Sequence, residues 1–131
     1  MDRKKLFMRL AVVIFFIFFL NFIGDRFYWY SSIWYFDIIM HTLGGFWVGL
    51  LLFWVFGFKN INWKFILKII LGVLIIGIFW EVFEIIVNKT IAQNPFNFLD
   101  AVSDIFCDLA GGLFASTYIF KKIIKKEKIK L

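Results

Sequence analysis

Residues 100–120, DAVSDIFCDLAGGLFASTYIF, read as one apolar helix whose single polar stripe carries Asp100, Asp104 and Asp108. A spacing of four keeps the three carboxylates on one helical face. The rest of the chain decides what surrounds that stripe. Of 131 residues 63% are hydrophobic and 23% aromatic, one is proline, and mean hydropathy is +0.87. A soluble domain of this size would carry more apolar side chains than it could bury, so the bilayer is the expected solvent. An ionised carboxylate in hydrocarbon costs several kcal/mol or roughly that, so acids placed there must be paired, protonated, hydrated or bound to a cation.

Four stretches have the length and apolarity of a membrane span: about 6–23, 37–58, 65–87 and 100–120. Each offers about the 20 residues a helix needs to cross roughly 30 Å of hydrocarbon. Strand alternation is lacking, and open backbone is not tolerated in lipid. The expected fold is therefore all-α: an integral membrane bundle of four transmembrane helices forming one domain over 1–131. No internal repeat or low-complexity linker divides it.

Basic residues orient the bundle. Arg3, Lys4, Lys5 and Arg9 open the first span, Lys59, Lys64 and Lys68 border the second connection, and six lysines from Lys121 to Lys130 follow the last span. Only Arg26 and Lys89 fall on the other side. Both termini are expected to be cytoplasmic, with the loops 24–36 and 88–99 facing outward. The opening MDRKK resembles a secretory n-region, but an apolar run of about 18 residues without a small-x-small cleavage site reads as a retained helix. The basic tail serves as a topology signal, with anionic-lipid contact as the sharper alternative. Phe27 to Tyr30 and Trp34 to Phe36 read as an interfacial aromatic belt.

Periodicity gathers the polar residues. Asp37, His41, Gly44 and Val48 share a face of the second span, and Gly77, Glu81, Glu84 and Asn88 share a face of the third. Asp100, Asp104, Asp108 and the Gly111-Gly112 pair continue the pattern on the fourth. By the 1.5 Å rise per residue, all three stripes meet in the outer third of the bundle. Glycines on the same stripes are expected to bring backbones together beneath them.

Carboxylates with one imidazole suit Mg²⁺, Mn²⁺, Fe²⁺ or Zn²⁺. We expect one or two divalent ions on Asp37, His41, Glu81, Asp104 and Asp108, with the outermost acids, Glu84 and Asp100, in proton transfer. A proton pathway and a purely structural hydrogen-bond network are the alternatives. The lone Cys107 excludes an intrachain disulfide and reads as packing. Asn88-Lys89-Thr90 matches a glycosylation sequon too short to carry weight. No phosphate loop or nucleophilic serine is indicated. Nucleic acid is not an expected partner, because the net charge of +6 lies on topology signals and forms no folded basic face.

The segments FDIIMHTLGGFWVG (36–49), WEVFE (80–84) and DIFCDLAGG (104–112) resemble the small polytopic YjdF-type bacterial membrane proteins, and more distantly the VanZ-like family. The VanZ-like pattern often has Gln and Asn where this chain has Glu84 and Asp108. The resemblance covers about residues 37–115 and implies a multi-pass cell-membrane protein of a bacterial-type envelope, without an activity to transfer. Three function classes follow. The first is a metal-dependent hydrolase or transferase acting at the outer leaflet on a lipid or lipid-linked substrate. A small cation or proton-coupled transporter is the second, and a non-catalytic envelope scaffold the third. Whether the protein is an enzyme is left open by the residues alone.

Overall fold

The computed structural model describes residues 2–130, and they are helical with no strand among them. Five α-helices follow in order: α1 (Arg3–Arg26), the single turn α2 (Trp29–Ser32), α3 (Phe36–Phe56), α4 (Trp63–Val87) and α5 (Phe98–Lys130). A π-helical turn, Asn88–Ala92, extends α4. The ends are set by local chemistry. Asp2 accepts from Lys4 N–H at the start of α1, and Asn62 accepts from Phe65 N–H at the start of α4. Gly57 closes α3 with φ +86°, a conformation that glycine adopts without penalty.

Among the described residues three helices are long and apolar enough to cross a membrane: α1, α3, and α4 with its π-turn through Ala92. The fourth expected span lies within α5, which runs 33 residues, about 50 Å by helical rise. Its three aspartates and its lysine tail dilute its apolar content below that of the other three.

Helix α3 is the hub. It packs along α5 most extensively and also against α1 and α4, while α4 packs on α5 as well. Each inner stripe is graded along its length. On α3 the buried residues run His41, Gly45, Gly49, Phe53; on α5 they run Asp104, Asp108, Gly111 and Gly112, Ala115, Ile119. On α4, which runs the other way, they run Ile69, Val73, Gly77, Glu81. The bundle is thus polar at one end, pinched by small residues in the middle and apolar at the other.

The apolar end is a cluster of Leu6, Leu10, Leu50, Phe53, Ile69, Ala115 and Ile119, all buried. Trp47 Nε1–H donates to Leu10 O at 2.9 Å, which fastens α1 to α3. Arg9 Nη1 donates to the Tyr118 hydroxyl at 2.6 Å and Arg3 Nη2 to Trp54 O at 2.8 Å, each guanidinium also lying over the ring it borders. The outward faces of α1 and α4 expose large apolar side chains such as Phe15, Phe22, Ile75 and Phe79. In water such a surface would drive association; in a bilayer it meets acyl chains.

The middle differs from expectation in one respect. Gly44, expected at a helix contact, faces open space: a Cβ there would meet nothing within 4 Å. Its neighbour Gly45 makes the contact, because the stripe through His41 advances by four residues to Gly45 and Gly49. A Cβ on Gly45 would overlap the Asp108 backbone, and one on Gly111 would overlap the backbone from Thr42 to Phe46. The bare backbone of Gly77 makes room for the Asp108 side chain, whose Oδ2 a Cβ there would meet at 2.8 Å.

Candidate functional site

The crossing of α3 and α5 at Gly45 and Gly111 draws the residues one turn along toward each other. His41 is therefore held between carboxylates from both helices. Its Nδ1 lies 3.3 Å from Asp108 Oδ1, while Nε2 lies 3.6 Å from Asp104 Oδ2 and 3.7 Å from Asp37 Oδ1. An ionised Asp108 can only accept, so Nδ1–H donates to it, while Nε2 faces Asp104 and Asp37. Asp108 is buried behind the ring against Gly77, and Asp104 is buried in front of it.

Helix α4 completes the enclosure. Its inner stripe ends at Glu81, which is 6% exposed, and the Glu81 Oε1 atom is buried without a hydrogen-bond partner. Leaving such an oxygen unsatisfied costs about 1–3 kcal/mol, more if it is charged. One turn on, Glu84 is half-buried and its Oε1 accepts from Trp80 Nε1–H at 3.0 Å. One donor atom each from His41, Glu81, Glu84 and Asp104 lie within 4.8 Å of one another, and one each from Asp37, Asp100 and Asp104 do likewise. Atoms about 2.0–2.2 Å from a common centre would have this spacing.

All seven candidate residues thus converge on one end of the bundle. They differ in surroundings. Asp108 lies behind the imidazole and outside both four- and three-residue sets, whereas Glu84 and Asp100, expected in proton transfer, stand at ligand spacing within them. Asp100 is exposed, Asp37 is about one-third exposed, and Glu81 and Asp104 are buried. Basic side chains are absent from the ion pairs of this cluster among the described residues, so His41 is the one ion-pair partner of its carboxylates there.

A cleft opens onto the carboxylates from the α4–α5 connection. Glu81, Glu84, Asp100 and Asp104 form its floor; Lys89 and Asn94 stand on its rim. Its volume of about 70 Å³ holds a few waters, given roughly 10–15 Å³ for each. The π-turn shapes this rim: Gln93 ends it in the left-handed region and Asn94 N–H returns to Asn88 O. The side chain of Asn97 accepts from Asp100 N–H at 3.3 Å and fixes the start of α5. Sequence spacing did not point to Lys89 or Asn94, which reach the cleft only through the π-turn. The Trp80–Glu84 bond did have a signal in its i, i+4 spacing.

The fold and this placement describe a polytopic helical membrane protein with an acidic, imidazole-containing cluster at one end. A family model described as predicted membrane protein (DUF2238) matches residues 3–125. The chain belongs to that family, which is the YjdF family. The match bears on the YjdF-type resemblance and not on the VanZ-like one. No curated protein and no solved structure matches the chain.

Proposed function

We propose that the protein is a four-span membrane protein with both termini cytoplasmic, α5 supplying the fourth span, and that its acidic end binds a divalent metal ion at the outer leaflet for hydrolysis of a lipid-linked phosphate ester. The partnerless, buried Glu81 Oε1, on a residue whose donor set with His41, Glu84 and Asp104 lies within 4.8 Å, carries this reading. A cation would satisfy that oxygen. His41, Glu81 and Asp104 would supply three protein ligands, the number typical of a catalytic site with open positions. Asp108 holds the imidazole by Nδ1, as carboxylates behind metal-ligating histidines commonly do. Mn²⁺, Fe²⁺ and Zn²⁺ suit this mixed set, and Mg²⁺ its oxygen atoms.

Such an ion, held by His41, Glu81 and Asp104, would supply Lewis acidity toward water and a phosphoryl oxygen. Glu84, oriented by Trp80 and open to the cleft, accepts the proton of the attacking water. The water oxygen bonds to phosphorus as the bond to the leaving alcohol breaks, and the proton passes to the leaving oxygen. The setting favours a substrate anchored in the bilayer, because the exposed faces around the site are apolar. The opposite half of the bundle argues against transport. There Leu50, Phe53, Ile69 and Ile119 fill the interior, and the buried Ser116 hydroxyl is taken up by Gly112 O at 3.0 Å.

Metal analysis of the purified full chain tests the reading. At least one divalent ion per chain is expected, lost on chelation with a fall in Tm and weakened by His41→Ala and Asp104→Asn. An ion-free preparation whose Tm ignores added metals would refute it. For orientation, Asn94→Cys in a Cys107→Ser background should react with an impermeant thiol reagent outside intact cells, and Lys59→Cys should not. The reverse labelling would move the site to the cytoplasmic leaflet.

A further inference from the structure

The first turns of α1 arrange charge and apolar surface in two columns. Arg3 stands one turn from Phe7 and Lys4 one turn from Met8, so each cation lies about 6 Å along the helix from an apolar side chain on its own face. Trp54, from the last turn of α3, closes the other side, and these five residues line an open groove of about 590 Å³. We propose that this groove binds one anionic phospholipid, its headgroup phosphate on Arg3 and Lys4 and an acyl chain along Phe7, Met8 and Trp54. The groove lies at the apolar end of the bundle, away from the acidic cleft, so this lipid site stands or falls apart from the metal reading.

Charge complementarity selects the headgroup. Arg3, Lys4 and Lys5 are exposed, and the acid beside them in sequence, Asp2, is engaged in capping Lys4 N–H at 3.0 Å. Arg3 is held in place: its Nη2 donates to Trp54 O at 2.8 Å, and the guanidinium lies 5.3 Å from the Trp54 ring centroid. A guanidinium fixed in this way has less freedom to lose on meeting a phosphate, and its other N–H groups remain donors. A choline headgroup fits less well, because its ammonium would meet two cations and the Trp54 ring already receives Arg3.

The apolar wall selects a lipid over a free anion. Phe7 and Met8 are exposed, and the Phe7 and Trp54 rings meet with centroids 5.7 Å apart, so the surface next to the cations is one apolar wall. In a bilayer that wall meets acyl chains. A phosphate tethered to such a chain is presented to Arg3 and Lys4 at high effective concentration, whereas a free phosphate is not. The lysines from Lys121 to Lys130 attract anionic lipid only as surface charge, since none of them lines the groove. With the orientation proposed above, the groove opens to the cytoplasmic leaflet, where anionic lipids give the surface its negative potential.

The test is native mass spectrometry of the full chain in neutral detergent, titrated with phosphatidylglycerol or with phosphatidylcholine of the same acyl chains. One phosphatidylglycerol per chain should be retained in preference to phosphatidylcholine. Lys4→Gln should weaken its binding roughly fivefold, about the effect of one Lys at an anionic lipid surface. Lys5→Gln removes the same charge one residue on, outside the groove, and should weaken it little. Both side chains are exposed, and circular dichroism checks that both variants keep their helicity. Glycerol phosphate at the lipid concentration should displace nothing. Phosphatidylglycerol brominated in its acyl chains, at one per chain, should quench Trp54, read as the difference from Trp54→Phe. Equal retention of the two lipids, equal losses in Lys4→Gln and Lys5→Gln, displacement by glycerol phosphate, or an unquenched Trp54 would each overturn the site.

Discussion

The two halves of the bundle are built on the same three helices and solve opposite problems. In one half α3, α4 and α5 pack Leu50, Phe53, Ile69, Ala115 and Ile119 into a dry cluster in which every buried side chain finds apolar neighbours. In the other the same stripes carry His41, Glu81, Asp104 and Asp108, and a buried carboxylate oxygen is left without a partner. Between them Gly45 and Gly111 let two backbones touch. The dry half satisfies its buried side chains by apolar contact, whereas the polar half leaves Glu81 Oε1 without a partner. The first half supplies apolar packing, the second gathers the polar side chains, and the glycine crossing joins them.

Filling the crossing should have the largest effect. A side chain at Gly45 or Gly111 meets backbone, which has no rotamer to yield, so Gly45→Val or Gly111→Val should separate α3 from α5 and disrupt both halves. Overpacking commonly costs about 1–3 kcal/mol, and a backbone collision falls at or beyond the upper end. The expected readout is loss of monodisperse protein in detergent and loss of metal binding. Gly44→Ala is the control: with open space around it and up to about 1 kcal/mol of helix preference to gain, it should leave Tm unchanged or raised. If Gly44→Ala proves as damaging as Gly45→Val, the contact has been placed on the wrong glycine.

One truncation in each half should then act with opposite sign. Phe53→Ala removes a fully buried ring from the dry cluster and should cost about 3–5 kcal/mol, seen as a lowered Tm with or without metal. Glu81→Met removes a buried, unpartnered oxygen and should raise the Tm of metal-free protein while abolishing the further rise on adding Mn²⁺. A Tm that falls in metal-free Glu81→Met would mean the carboxylate is satisfied without an ion, and the contrast between the halves would collapse.

Much of this contrast was legible in the sequence. Spacings of three and four residues on three segments put six carboxylates and His41 on stripes that do meet, because helical rise and rotation are nearly invariant. Which glycine makes the crossing was not legible. Gly44 and Gly45 are about 100° apart on the helix, and only the position of α5 selects between them. Nor was the fourth span secure from composition, since Asp104 and Asp108, which define the site, also lower the hydropathy of α5. The roles of Asp108 and Lys89 depend on side-chain direction and on a π-turn that ordinary 3.6-residue periodicity does not anticipate.

A smaller effect is expected where α5 fastens to α1. Tyr118 accepts from Arg9 Nη1 and carries both Arg9 and Lys122 over its ring. Tyr118→Phe keeps the ring and its attraction for cations but removes the acceptor, so about 1 kcal/mol should be lost. Metal binding at the far end should be unaffected. A change in metal affinity would show that α1 docking sets the geometry of the polar half.

The smallest effect should appear at the edge of the polar half, outside the spans, at Tyr30. Its hydroxyl donates to Asn21 Oδ1 at 2.6 Å and its ring meets the Phe36 ring edge-on at 4.8 Å. Burial first, then the charges of Asp25, Asp37 and Glu84, push the phenol up from 10.0 to about 12. Since the folded value lies above the free one, the contribution of neutral Tyr30 to stability is fully present below pH 10 and fades as pH rises through about 12. Removing a neighbouring negative charge eases formation of phenolate. In metal-free protein Asp25→Asn should therefore lower the Tyr30 value most, Asp37→Asn less and Glu84→Gln least. Phenolate absorbance, taken as the difference from Tyr30→Phe carrying the same second substitution, isolates this residue from the other three tyrosines. If neutralising Asp37 and Glu84 leaves that titration unmoved while Asp25→Asn shifts it, the carboxylates of the polar half exert no field at its rim. Their surplus negative charge would then already be compensated without a metal ion.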